Sequence, residues 1–597
     1  MRSALCTLSL LLLGGCDRLR PPGAAQAPPL APPGAGLERG GPPALGASVE
    51  PKLRIDGVAL PAGVEVHALQ VARAARMGEQ RWPVGFSTIL RAGDAPGAEG
   101  TLIDHLGRPL PEVGRCASLD FAGLLPSPGG MVFASHLECH PGAILLTPVV
   151  QTGVGAIGPS GPPRPIDMSG VGGLGLPCAG GVTPWGTLLS SEEFEVDARV
   201  VDAAGRDPGD HAGWNHQIAY WAGSQAPQPY AIGFIPEVGP LGPLSAGQGP
   251  LKVPVVKHYA MGRLSHEVAL LLPDERTVYL SDDGDNGVLT VFVADKARDL
   301  SAGTLYAARF AGAEGALGAI EWVSLGHASD AEIGAKMSPP PAFSALLRRA
   351  ELRPPGLCPS GLSAVNTAWG PECLAVQPGA EALASRLETR RVAAIRGATT
   401  EINKAEGLTF DARRGEVLLA ISRIGGGMEA KHPKWDLGGP DHLRLEGNDC
   451  GGVMALRVAA GQRDTDGQPI DSAYMATTTR WLLQGRLSRA DPKNICDTEG
   501  LANPDNLGIA PDADLLFIAE DTDRHEVAAL WAYDLGSGAL SRIATSPAGA
   551  ELAGLQLVAG PDGRDYLTLS VQFHGDPGQV SSAGLLGPLS PPSPPPR

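Results

Sequence analysis

The chain has 597 residues, long enough for a large core, with 80 glycines, 56 prolines and a formal net charge of −17. The excess of negative charge excludes nucleic acid and bare anionic membrane surface as natural partners, because the summed field repels both, and it makes cations the expected guests. Turn formers are dense and helical period is confined to one region, which excludes a helical bundle and points to short strands in an all-β fold.

The first residues, MRSALCTLSLLLLGGC, place Arg2 before a short apolar run, Leu8 to Leu13, and small residues before Cys16. This is the layout of an export signal over 1–16, and the apolar run falls far below the roughly 20 residues of a bilayer crossing. The ending LGGC resembles the lipobox of bacterial lipoproteins. That resemblance implies acylation of Cys16, a place in the cell envelope facing the periplasm or the cell surface, and membrane contact through the lipid anchor only. Residues 17–48 are rich in Pro, Gly and Ala and cannot bury enough surface to offset their ordering entropy, so a flexible tether is expected. A single large domain is expected over 49–585, followed by a proline-rich tail, 586–597.

Within that domain several segments share one design, in which a turn leads into four or five strand formers and an acidic or polar exit. They are WGTLLSSEE (185–193), PDERTVYLSDDGD (273–285), ARRGEVLLAISRI (412–424), PDADLLFIAEDTD (511–523) and GPDGRDYLTLSVQF (560–573). Their anchors Leu189, Leu280, Leu419, Ile518 and Leu569 are spaced by about one, two or nearly three times a unit of roughly 50 residues, the period of propeller blades. The reading is a six-bladed β-propeller whose polar strand ends converge on one mouth of the channel. From about 329 to 391, FSALLRRAEL (343–352) and AEALASRLETRRVAAI (380–395) carry helical spacing instead, so a partly helical insertion between blades is expected there.

Nine cysteines, less Cys6 in the signal and Cys16 at the lipid site, leave an odd seven. Neighbours in sequence could pair as Cys116 with Cys139, Cys358 with Cys373 and Cys450 with Cys496, leaving Cys178, although connectivity does not follow from order alone.

Four segments carry chemistry. CAGGVTPWGTLLSSEE (178–193) combines a thiol, a glycine pair and a glutamate pair. AMGRLSHEVALLLPDERTVYLSDDGDNG (260–287) holds Glu267 and an acidic turn with Asp282, Asp283 and Asp285. INKAEGLTFDARRGEVLLAISRI (402–424) holds Lys404 and Glu406. ANPDNLGIAPDADLLFIAEDTD (502–523) offers Asp505, Asn506 and Glu520. Taken in this order, together with AELAGLQLVAGPDGRDYLTLSVQFHGD (550–576), they resemble the PhoX-type alkaline phosphatases, over most of the chain from about 170 to 576. The resemblance implies an exported hydrolase of phosphate monoesters that uses calcium and iron and acts as a monomer on phosphate ester substrates. It implies metal ligation by Cys178, Glu192, Glu193, Glu267, Asp283, Glu406, Asp505, Asn506 and Glu520. A thiolate is a soft donor suited to iron, and carboxylates are hard donors suited to calcium. Lys404 takes the catalytic position at which the family usually has a phosphate-holding arginine, and it offers a point charge in place of a planar fork. His266 is either a supporting donor or a core histidine, and His574 stands where the family's closing strand normally ends in Gln-His-Pro-Gly. Other readings of the same residues are a calcium-dependent propeller lactonase or arylesterase, which would need no thiolate, and a non-catalytic calcium-binding lipoprotein.

Overall fold

The computed structural model describes residues 52–93, 102–110, 116, 118–153, 155–244, 249–353, 356–573 and 579–591. The export signal, Cys16, the tether, His574 and the end of the tail lie outside the described residues.

After Ser118 the strands form antiparallel sheets in chain order. The first runs outward through Leu119–Ser127, Gly130–Leu137, Ala143–Gly153 and Arg164–Pro165, and the second through Gly180–Val182, Leu188–Ser190, Pro236–Val238 and Val255–Lys257. A nine-stranded sheet follows, and its two halves meet through one residue pair, Ala319 with Thr478. One half, the third sheet here, starts at His266–Leu271, and the other, the fourth, at Ala405–Asp411. The fifth sheet starts at Pro504–Ala510 and the sixth at Glu551–Ala553. The first strands of consecutive sheets lie against one another in that order, and Glu551–Ala553 returns to Leu119–Ser127, so the circuit closes. Chain from the N-terminal side finishes the last two sheets, Gln70–Val71 against Leu540–Thr545 and Gly85–Arg91 against Ser582–Gly587.

The core explains why these strands are apolar throughout. Side chains alternate faces along a strand, and here both faces are buried. Leu188 packs toward the first sheet and its neighbour Leu189 toward the third. The same division separates Val278 from Tyr279, Leu418 from Leu419, Leu516 from Phe517, Tyr566 from Leu567 and Val132 from Phe133. Truncating one such leucine to alanine costs about 2–5 kcal/mol, because its cavity lies between two rigid layers.

All five repeat anchors fall on the second strand of their sheets. Leu189, Leu280, Leu419, Ile518 and Leu569 lie in Leu188–Ser190, Thr277–Asp282, Glu416–Ile421, Leu515–Glu520 and Asp565–Gln572. The long gaps between them are not whole blades, because the sheets are consecutive; loops and the insertion fill the extra length.

The insertion contains the helices Asp330–Ala335, Glu381–Leu387 and Thr389–Ile395 and a three-stranded sheet, Leu347–Ala350, Ser363–Thr367 and Gly370–Val376. FSALLRRAEL is helical only over Phe343–Leu346. From Leu347 it pairs with Gly370–Val376, so tertiary pairing overrides local spacing. Disulfides join Cys116–Cys139, Cys358–Cys373 and Cys450–Cys496, and Cys178 remains a buried thiol. The packed chain runs past 585, since Leu586 and Leu589 are buried.

Candidate metal centre

Five first strands open on a carboxylate, and a thiol stands just before the sixth. Asp120, Glu267, Glu406 and Asp505 are second residues of their strands, Glu551 is a first residue, and Cys178 stands two residues before Gly180. In four sheets the register breaks there, between Leu119 and Ala122, His266 and Ala269, Ala405 and Leu408, and Pro504 and Leu507. Such bulges re-aim a side chain next to a site. Antiparallel pairing brings the far end of each second strand to the same mouth, which adds Glu138, Glu193, Asp283 and Asp521.

Among the described residues, three groups have donor atoms within 4.8 Å of one another: Glu138, Cys178 and Glu193; Asp120, Glu138 and Glu551; and Glu267, Glu406 and Asp505. Cys178 Sγ donates to Glu267 Oε2 at 2.9 Å. Asn506 Nδ2 donates to Asp505 Oδ1 at 2.8 Å and lies 3.4 Å from Glu267 Oε1. Gln572, from the closing strand, donates to Glu138.

Burial and mutual repulsion push these groups toward protonation. Asp120, Glu193, Glu267, Asp505 and Glu551 are all raised well above the usual carboxylate range, first by burial and then by the charge of a neighbouring carboxylate, which is Glu138, Asp283, Asp505, Glu406 and Asp521 respectively. Glu406 is pushed up to about 8, mainly by burial and by Asp283. The Cys178 thiol is raised by burial and by Asp120 and Glu267. Lys404 Nζ supplies opposite charge, 3.0 Å from Glu406 Oε1 and 3.2 Å from Asp283 Oδ2. Burial alone would raise Asp283; Lys404 overrides it and holds that carboxylate low. Lys404 has a φ of +50°, in the left-handed region that side chains rarely adopt, and it is fixed by backbone bonds to Gly284 and Ser422.

The remaining expected ligands face elsewhere. Glu192 takes Lys257 Nζ at 2.8 Å together with the backbone amides of Gly175, Gly233 and Phe234. Glu520 binds His525, the Trp531 indole and two backbone amides. His266 bonds the Gly262 carbonyl, and burial lowers it to about 4, so it is a neutral core imidazole. The acidic turn splits three ways: Asp282 goes to Arg390, Asp283 to Lys404 and Asp285 toward Arg423.

A cavity of 630 Å³ opens beside the cluster. Asp283, Lys404 and Asp521 line it, with Arg390, Arg423 and Arg524 and the rings of Phe194, His211, Trp369 and Trp435.

Sequence reasoning missed Asp120, Glu138, Asp521 and Glu551. The available signal was an acid followed within two or three residues by glycine or a small residue at each strand start, as in LDFAGLL, AEGLTF, PDNLGIA and ELAGLQL. Glu138 shows no such signal, because its position depends on the sheet's second turn.

The family model described as Alkaline phosphatase PhoX matches residues 165–575. Among solved structures, Pseudomonas fluorescens PhoX in complex with vanadate, a transition state analogue, is 17% identical, with a TM-score of 0.55 over 90% of this chain and 98% of that one. A putative 6-phosphogluconolactonase from Bacteroides uniformis is 10% identical over 76% of this chain and 91% of that one, with a TM-score of 0.27. No curated protein matches.

Proposed function

Because this chain belongs to the alkaline phosphatase PhoX family and is a phosphatase, we propose that it hydrolyses phosphate monoesters outside the cytoplasm, with calcium and iron held at the mouth of a six-bladed ring. The observation that carries this reading is the convergence of a thiol and carboxylates from all six first strands beside Lys404 and an open cavity.

The residues fit a multi-metal centre. So many buried carboxylates, with Lys404 as the cation that reaches them, cannot all ionise unless further positive charge enters. Cys178 with Glu138 and Glu193 would hold the softer ion. Glu267, Glu406 and Asp505, and Asp120 with Glu138 and Glu551, offer the oxygen-only sets that suit calcium. Bound metals supply Lewis-acid neutralisation of the phosphoryl charge and an oxygen nucleophile at working pH. Phosphate monoesters hydrolyse extremely slowly without catalysis, so charge neutralisation is the principal demand.

The chain's own part is to place that charge. Lys404, braced by Asp283 and Glu406 and with 33% of its side chain exposed, presents its ammonium to the cavity, where it can donate to a phosphoryl oxygen. Its three donors rotate on a flexible stem, so it fixes charge more than orientation. The first strands fix the carboxylates on rigid, doubly packed layers.

On this reading the protein is exported as a monomer and tethered to the envelope through Cys16. Three disulfides support an oxidising compartment. The closed circuit of first strands supports the six-blade count. Phosphate release by the purified full-length chain, assayed beside elemental analysis and a lactone panel, tests the activity. Iron and calcium together with phosphatase turnover are expected; no phosphate release under any metal supplement overturns it. Cys16→Ala should move the protein from the membrane fraction to the soluble fraction.

A further inference from the structure

The cavity beside Lys404 is larger than a phosphoryl group requires, and part of its wall is aromatic. At 630 Å³ it falls within the range of sites that enclose a whole small molecule. Acids and cations line it together with Phe194, His211, Trp369 and Trp435, and these four rings come to it from separate stretches of chain. Charged groups suffice to hold the phosphoryl end. Trp369, packed by Arg391, and Trp435, with the Lys434 ammonium 3.7 Å over its ring, are only half-buried, which leaves ring surface for the rest of a ligand.

These rings are held in place. The His211 and Trp369 rings meet at 5.5 Å between centroids, edge to face, and Phe194 meets His211 at 6.2 Å in the same manner. The Arg391 guanidinium lies 5.8 Å over the Trp369 ring. Arg391 is buried and bound by Asp197, Glu372 and Glu388, so it cannot leave that position cheaply. Asn366 and Asn286 both donate to the Trp435 carbonyl, at 2.6 and 2.8 Å, which ties that loop to the insertion hairpin carrying Trp369. Phe194 sits at a φ of +45°, a conformation a bulky side chain keeps only where its surroundings impose it. The insertion therefore has a task that the ring lacks: it delivers Trp369 to the cavity.

We propose that this wall selects phosphate monoesters whose leaving group is a planar aromatic base, of the nucleoside monophosphate class. The inference rests on the phosphatase reading above and names the substrate class of the same site. Stacking of a base on an aromatic side chain is sequence-tolerant and strong enough to change selectivity by about tenfold or more.

The test compares kcat/KM for adenosine 5′-monophosphate and glycerol 3-phosphate on the full-length, metal-loaded protein. The expected ratio is at least about tenfold in favour of the nucleotide. Trp369→Ala and Trp435→Ala should each reduce that ratio several-fold, and Trp369→Phe should restore most of it. Adenosine alone should inhibit glycerol 3-phosphate hydrolysis competitively, and ribose should not. A merely structural role for the rings would slow both esters alike and leave the ratio where it was. A wild-type ratio near one, or a ratio unmoved in both alanine variants with thermal midpoints retained, overturns the inference while the phosphatase reading stands. No phosphate from either ester overturns both.

Discussion

Cys178 Sγ lies 2.9 Å from Glu267 Oε2, although 89 residues separate the two in the chain. One precedes the first strand of the second sheet, and the other is near the start of the first strand of the third. Their meeting is a consequence of the closed circuit, in which each first strand borders the next. Without bound cations burial keeps the sulfur protonated, and a soft metal is what would convert it to a thiolate ligand.

Cys178→Ser should therefore lose iron and lower phosphatase turnover on the order of 100-fold, the upper range for a damaged metal site. The thiol makes no disulfide, so the thermal midpoint should stay within a few degrees. Elemental analysis beside a melting curve checks this; full turnover with unchanged iron would remove Cys178 from the centre.

Metal removal should cost stability in a pH-dependent way. Glu406 has a folded pKa pushed up to about 8, against roughly 4.3 when unfolded. The folded state then binds more protons, so the contribution is intact below the unfolded value and is lost as pH rises through the folded one. The other raised carboxylates act in the same direction. A chelator should thus lower the thermal midpoint more at pH 9 than at pH 5, as a calorimetric comparison at both values would show; an equal drop would argue that cations do not neutralise this cluster.

The sequence exposed more of the fold's logic than of its ligand set. Second-strand anchors such as Leu419 were legible because both faces are buried and the strands read as unbroken apolar runs. The gaps between anchors misled, because loop length and the insertion are not multiples of a blade. Glu406 and Asp505 were legible through local motifs. Glu192 was grouped with Glu193 because the two are adjacent, yet successive side chains diverge, and Lys257 captures Glu192. Glu138 was not legible, since its neighbours Cys178 and Glu551 are brought to it only by the ring.

Glu551→Gln tests a ligand that came from structure alone. It keeps the shape and removes one negative charge from the set with Asp120 and Glu138. Calcium content should fall and turnover should drop by about 10–100-fold, while iron is retained. Equal loss of both metals, or of neither, would contradict the division of donors into separate sets.

His258 provides a pH-sensitive brace away from the mouth. Its ring nitrogens lie 2.9 Å from Asp330 and from Glu237. Burial alone would lower its pKa, but the two carboxylates outweigh that and raise it to about 9. Compared with about 6.5 unfolded, the shift contributes up to about 3 kcal/mol below pH 6.5, and this is lost as pH rises through 9. His258→Gln should therefore flatten the fall in denaturant stability between pH 7 and 9.5. An unchanged slope would show that the ring is not charged in the folded protein.

Arg390 joins the insertion to the ring. It is buried and bonds Asp282 through two nitrogens and Glu195 Oε1 at 2.8 Å. Asp282 also takes the amides of Ser265 and Val288, so this one contact orders the turn that presents Asp283 to Lys404. Arg390→Met leaves two buried carboxylates without their cation, a loss of about 3–5 kcal/mol, and the strain should concentrate at that turn. Equilibrium unfolding should report the full loss, and hydrogen exchange should show protection falling first around 282–288. A variant as stable as the parent would mean that solvent reaches Asp282 and replaces the guanidinium.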